Sequence, residues 1–177
     1  MSGNSEGDSK PAASGVASTF TSDTEGATPA QSPPELDAIV RQFRMNFSND
    51  EIEKNGAMVA DDVVVNVNGG ASSKPNGATY NGRDQFVAWL KGVKGVFPDG
   101  KITEDEIVVC GDKAAVRFTL VGTQRGALPT PDGVIAPTGR TITLHAAEFF
   151  TFNAAGKVVH LENLTNDLST VHQLTAE

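Results

Sequence analysis

At residue 101 the apolar periodicity of this chain changes from helical to two, and that switch restricts the fold more than any single motif. Before it, Leu36, Ile39, Val40, Phe43 and Phe47 in "ELDAIVRQFRMNF" recur at helical spacing and make one apolar stripe. Ser32 is placed to cap this helix, with Pro33 at its first position and Glu35 three residues after the cap. "NDEIEKNGAMVAD" predicts a second, short helix capped by Asn49 or Asp50, and "DVVVNVNG" a strand. "GASSKPNGATYNG" is a loop by composition. "GRDQFVAWLKGVKGVF" predicts a third helix with Phe86, Trp89, Leu90, Val93 and Phe97 on one face, stopped by "PDG". After the switch, "KITEDEIVVCG", "KAAVRFTLVGTQRG", "RTITLHAAEFFTF" and "KVVHLENL" read as four strands. Short turns at 111–112 and 153–156 and the longer loop "GALPTPDGVIAPTG" connect them. Helices grouped beside an antiparallel sheet make an α+β domain. A curved antiparallel sheet wrapped around three N-terminal helices would enclose a cone-shaped apolar cavity.

The first 34 residues are Ser, Gly, Thr, Ala and Pro with scattered acids, and only Val16 and Phe20 add apolar bulk. Such a segment cannot bury enough surface to offset its ordering entropy. Residues 1–34 are therefore expected to be a disordered tail, and residues 35–177 the one folded domain. A net charge of −8 argues against nucleic acid or an anionic membrane as partner. No run approaches the roughly 18 apolar residues of a membrane span. "MSGNSEGDSK" holds no apolar segment of a secretory signal, so a cytoplasmic location is expected. The lone Cys110 in "EIVVC" excludes an internal disulfide and reads as a buried, inert thiol. There is no Cys/His cluster for zinc, no phosphate loop, no dinucleotide fingerprint and no nucleophile elbow, so no metal or cofactor is expected.

Several segments together resemble a known family. They are "NGRDQF" entering a helix, "FPD" leaving it, "GDKAAVRFTLVGTQRG", "PTGR", "FFTF" followed by "GKV", and a terminal "HQL". In this order they resemble the SnoaL-like polyketide cyclase family of the nuclear transport factor two-like superfamily, over about residues 36 to 175. The resemblance implies a cone-shaped α+β barrel that dimerises through its outer sheet face. It also implies a hydrophobic small-molecule substrate, handled without cofactor or metal. The cyclases close a ring by an intramolecular aldol reaction, in which a carboxylate at the end of the last strand moves a proton next to a carbonyl. The usual ending is Gly-Lys-Ile, a Glu, a Trp, an Asp, and a short helix ending in Gln-Leu-Gly. Counting from Gly156 puts His160 at the Glu and Glu162 at the Trp; counting back from "QL" puts Asn166 at the Asp, with Asp167 one residue later.

On a strand, Val158, His160, Glu162 and Leu164 share one face, and Val159, Leu161 and Asn163 the other. Both faces carry apolar residues, so the residues alone leave open which is buried; the resemblance turns His160 and Glu162 into the cavity. An imidazole two residues from a carboxylate can hold a general base and its partner, or be a solvated surface pair. Asp167 is either an acid/base or the N-cap of "LSTVHQL", a role Asn166 could equally fill. Glu148 shares a face with Leu144, Ala146, Phe150 and Phe152, and an acid there needs a cation; Arg117 is the candidate. His145 falls on the opposite face. In this family Asn66 would sit at the cavity mouth, and Phe43, Phe47, Trp89 and Phe97 would form wall and core at once.

The leading expectation is a cofactor-free acid/base enzyme acting on a hydrophobic oxygenated small molecule by cyclisation, isomerisation or dehydration. Asp167, Glu162 and His160 would be its catalytic set, and Asn66, Arg117, Glu148, Phe43, Phe47 and Trp89 its substrate-binding set. The alternatives are a non-catalytic ligand-binding or dimerisation module, and an epoxide hydrolase whose water is activated by Glu148, Arg117 and Asp167. A homodimer through the outer sheet face is expected, covering Val159, Leu161 and the Thr-rich alternate positions of 141–151. Deleting residues 1–34 is expected to move Tm by less than about 2 °C, below the shift that about 1 kcal/mol produces. A larger fall in a calorimetric scan would mean that the tail packs on the body.

Overall fold

The computed structural model describes residues 35–68 and 77–176; the expected tail and the Ser32 cap lie outside the described residues. Three helices lie in the first half of the domain: α1 (Glu35–Ser48), α2 (Ile52–Met58) and α3 (Arg83–Val96). Strands β1 (Val59–Asn68) and β2 (Ala78–Asn81) lie between α2 and α3. Then come β3 (Lys101–Cys110), β4 (Lys113–Thr123), β5 (Leu128–Thr130), β6 (Gly133–Ile135), β7 (Thr141–Phe152), β8 (Val158–Thr165) and α4 (Asp167–Thr175). Six strands form one curved sheet in the order β2-β1-β8-β7-β4-β3, with β2 and β3 as its edges, and β5–β6 is a separate hairpin. Among the described residues no helix is long and apolar enough to cross a membrane.

The expected α+β class, with helices on a curved sheet, holds. Four details differ. The sheet is mixed and open: β1 runs parallel to β8, because the chain returns to β1 only after the whole domain has been laid down. The segment read as a loop contains β2, whose Thr79 and Tyr80 pair with Asn66 and Val65. The Pro- and Gly-rich loop contains the β5–β6 hairpin. The cap of α2 is also shifted. Asp50 takes a left-handed conformation (φ 63°), which acidic residues tolerate in turns, so the helix starts after Glu51.

The core lies between the stripe of α1 and the concave sheet face. Leu36, Val40, Phe43 and Phe47 of α1 are buried against Val116, Phe118, Phe150 and Phe152. Phe43 meets Phe150 edge-on at 5.5 Å and Phe86 of α3 at 5.7 Å. Each such ring is worth roughly 1.5–3 kcal/mol of transfer free energy. Cys110 is exposed, against the buried-thiol expectation. It is the last residue of an edge strand, opposite Lys113, while Val109 takes the inward position beside it.

The loop from 124 to 140 is tied down by one buried amide. Gln124 Nε2 donates to the carbonyls of Gly126, Ile135 and Ala136, and its Oε1 accepts from the backbone N–H and hydroxyl of Thr138. The loop also docks on the end of α3, where Arg125 and Gly126 donate to Val96 O. Gly126 is required there, since a Cβ would lie 2.2 Å from the carbonyl oxygen of Gly95. The same end of α3 is anchored by Lys94, which donates to Gly100 O at 3.0 Å and sits 4.8 Å from the Phe47 ring centre. Burial lowers the pKa of this ammonium.

Candidate functional site

Between α1, α3 and the concave sheet lies an apolar cavity of about 100 Å³. Phe43, Phe47, Trp89, Phe97, Phe118 and Leu128 are among its walls. Its polar lining comes from four elements: Arg44 on α1, Glu148 on β7, Asn163 and Thr165 on β8, and Asp167 and Thr170 on α4.

Arg44 follows from the helical repeat, since it stands four residues after Val40 and three before Phe47 on the buried side of α1. Its side chain is 3% exposed and that of Glu148 4%, and Arg44 Nη2 donates to Glu148 Oε2. Asn163 Nδ2 donates to Glu148 Oε1 at 2.6 Å, so both carboxylate oxygens have donors. The guanidinium lies 4.2 Å from the Phe118 ring centre and 5.5 Å from that of Phe150. Aromatic faces and a carboxylate therefore hold one cation rigidly in the cavity wall. Its Nε–H has no acceptor among the described residues.

Asn166 caps α4, its Oδ1 accepting from the Ser169 N–H at 3.1 Å. Asp167 is the first residue of the helix, and its Oδ1 accepts the Thr165 hydroxyl at 2.9 Å. It lines both the cavity and a shallow outer groove beside Arg117, His145 and Leu168, so the carboxylate stands at the rim between interior and surface.

The structure turns the last strand the other way from the resemblance. Val158 pairs with Phe152, but His160 pairs with Thr151, so Val159 is an extra residue on β8. Such a bulge reverses the inside–outside phase beyond it. Leu161 and Asn163 are buried, while His160 and Glu162 stand on the outer face. There Glu162 accepts from Asn66 at 2.9 Å and Asn68 at 2.7 Å, and His160 Nε2 lies 3.6 Å from its Oε1. The expected His160–Glu162 pair thus exists, but outside the cavity. Asn66 is also outside, its carbonyl oxygen accepting from Thr79 at 3.0 Å. Arg117 does not reach Glu148. Val116 and Phe118 occupy the inward positions of β4, and Arg117 points outward, 4.0 Å from Asp105. That separation also dismantles the Glu148–Arg117–Asp167 trio. Arg44 and Asn163 went unassigned in the sequence, although Arg44 lies on the apolar stripe.

The sequence profile of the SnoaL-like domain matches residues 39–161. The chain belongs to the SnoaL-like domain family. No curated protein matches the chain. Among solved structures, a protein proposed to be a SnoaL-like polyketide cyclase from Jannaschia sp. CCS1 superposes with a TM-score of 0.67 at 16% identity, covering 86% of this chain and 99% of that one. IdmH of Streptomyces antibioticus, proposed to be a polyketide cyclase, gives 0.64 at 21% identity, covering 79% and 98%. AclR of Streptomyces galilaeus, proposed to be a hydroxylase, gives 0.65 at 21% identity, covering 79% and 80%. At these identities the likeness shows the fold of the SnoaL-like chain. Asn163, Thr165 and Asp167 lie beyond the matched segment, so their assignment rests on geometry.

The buried pair predicts a coupled response. Arg44→Met or Glu148→Leu alone is expected to destabilise by about 3–5 kcal/mol, because each strands a buried charge. The double substitution should regain most of that loss in urea denaturation. Additive losses would count against a shared electrostatic origin.

Proposed function

We infer that this SnoaL-like chain is a cofactor-free acid/base enzyme acting on a hydrophobic small molecule that carries a carbonyl, by cyclisation, isomerisation or dehydration. The observation that supports this most is a carboxylate, Asp167, at the rim of an apolar cavity whose wall also holds a fixed guanidinium. In this reading Asp167 removes the proton next to the carbonyl and returns it elsewhere on the substrate. Asp167 also lies in the first turn of α4, which fixes where its carboxylate stands. Glu148 and Asn163 position Arg44, whose positive charge offsets the negative charge that develops on the carbonyl oxygen. Phe43, Phe47 and Trp89 hold the apolar body of the substrate. His160, Glu162, Asn66 and Arg117 take no part.

Proton removal can be followed without the native substrate. Exchange of the α-hydrogens of small cyclic ketones for deuterium in D2O, read by mass spectrometry, is expected above the buffer rate. Asp167→Asn should cut that excess by about 10² or more while leaving Tm unchanged. Undiminished exchange in the Asn variant would remove Asp167 from the mechanism. Ketones that bind without exchange in the parent protein would make the cavity a binding site only.

We also propose a homodimer through the outer face of the sheet. Leu161 does not contribute, because it is fully buried inside the domain. Phe149, Leu164 and Val108 are 48%, 41% and 54% exposed. The register sets Phe149 beside Ala115, which neighbours Val108, and Leu164 beside Ala147, giving a continuous apolar patch. Light scattering at micromolar concentration should give twice the chain mass, and Phe149→Glu should halve it. A monomeric parent protein would rule the dimer out.

A further inference from the structure

A second, open apolar groove of about 580 Å³ lies on the other side of the cavity wall. Trp89, Val93 and Phe97 line both the cavity and the groove. They stand four residues apart, so one stripe of α3 and the residue that follows it form the partition. The 127–129 segment completes it, with Leu128 lining the cavity and Ala127 and Pro129 lining the groove. Trp89 is half-buried and stacks on Tyr80, which lines the groove, at 6.0 Å between ring centres. The floor is kept open by small residues, Ala88 and Gly92, and a Cβ at Gly92 would meet no atom within 4 Å.

Size makes this groove relevant to the substrate. An apolar cavity of about 150 Å³ holds one benzene molecule. The inner cavity, at about 100 Å³, is smaller than that. A hydrophobic substrate of more than one ring, or with a chain, extends beyond the inner cavity. The next apolar volume shares three of the wall's side chains.

We propose that the groove on α3 is a second substrate subsite, which takes the apolar extension, hydrocarbon or aromatic, of a molecule whose carbonyl end lies in the inner cavity. Trp89 is the specificity-determining side chain between the two volumes. The proposal rests on the cavity being the substrate site.

The chain has one tryptophan, so its emission reports from the partition itself. Methyl ketones from 2-butanone to 2-undecanone can be titrated into the full chain and followed by Trp89 fluorescence. Each added methylene should tighten binding by about fourfold, and the gain should continue past the length that fills the inner cavity. Gly92→Leu places a side chain in the groove, and leaving glycine favours the helix, so the variant folds. It should bind the short ketones as the parent does and lose the gain for the long ones. Gly95→Leu, on the same helix with equal space around its Cβ but outside the groove lining, should behave like the parent.

Short ketones that bind while the long ones gain nothing would overturn the groove subsite and leave the cavity reading intact. The same gain in the parent and in Gly92→Leu would do so too. A gain that emerges only after residues 1–34 are deleted would assign the groove to the tail and overturn the proposal. If no ketone of any length binds, the cavity reading falls and the subsite falls with it.

Discussion

The ion pair between Arg44 and Glu148 is the contact around which the interior is arranged. It joins α1 to the middle of the sheet in a region that is otherwise aromatic and aliphatic. Taking either charge out of water is expensive, and the pair is tolerable because each member is enclosed by the other and by further partners. Phe118 and Phe150 present ring faces to the guanidinium, and Asn163 closes the second carboxylate oxygen. A hydrophobic pair of similar volume would serve stability at least as well. The ion pair supplies something a hydrophobic pair does not, which is a guanidinium and a carboxylate held in the wall of an apolar cavity.

The last strand separates two polar sets that look alike in sequence. Inside, Asn163, Thr165 and Asp167 run from the buried pair to the rim and lead into α4. Outside, His160 and Glu162 make a solvated cluster with Asn66 and Asn68 across β1. The bulge at Val159 assigns each set to its side. Without it, an imidazole and a carboxylate would enter the cavity and Asn163 would leave Glu148.

Helix α3 has a comparable double role. Phe86 and Leu90 are buried in the core, whereas Trp89 and Val93 divide the inner cavity from the groove. The loop anchored by Gln124 sets Leu128 against that partition and docks on the carbonyl of Val96. The end of the helix, the loop and the cavity wall are consequently one mechanical unit.

Much of the fold was legible from the chain alone. The change of period at residue 101 announces helices before a sheet, and the α1 and α3 stripes name their buried faces, because both repeats follow local backbone geometry. The inward position of Glu148 was legible for the same reason, as its neighbours alternate cleanly. Its partner was not. Arg117 stands closer in sequence, and only the β4–β7 register shows that it points away while Arg44 arrives from a helix 104 residues earlier. The parallel β1–β8 pairing and the short strand β2 also depend on neighbours distant in sequence. The two faces of β8 are written in the alternation of residues 160–165, but which face turns inward is decided at Val159. A bulge of one residue leaves no mark in composition or period; it is set by how β8 must fit between β1 and β7 at once.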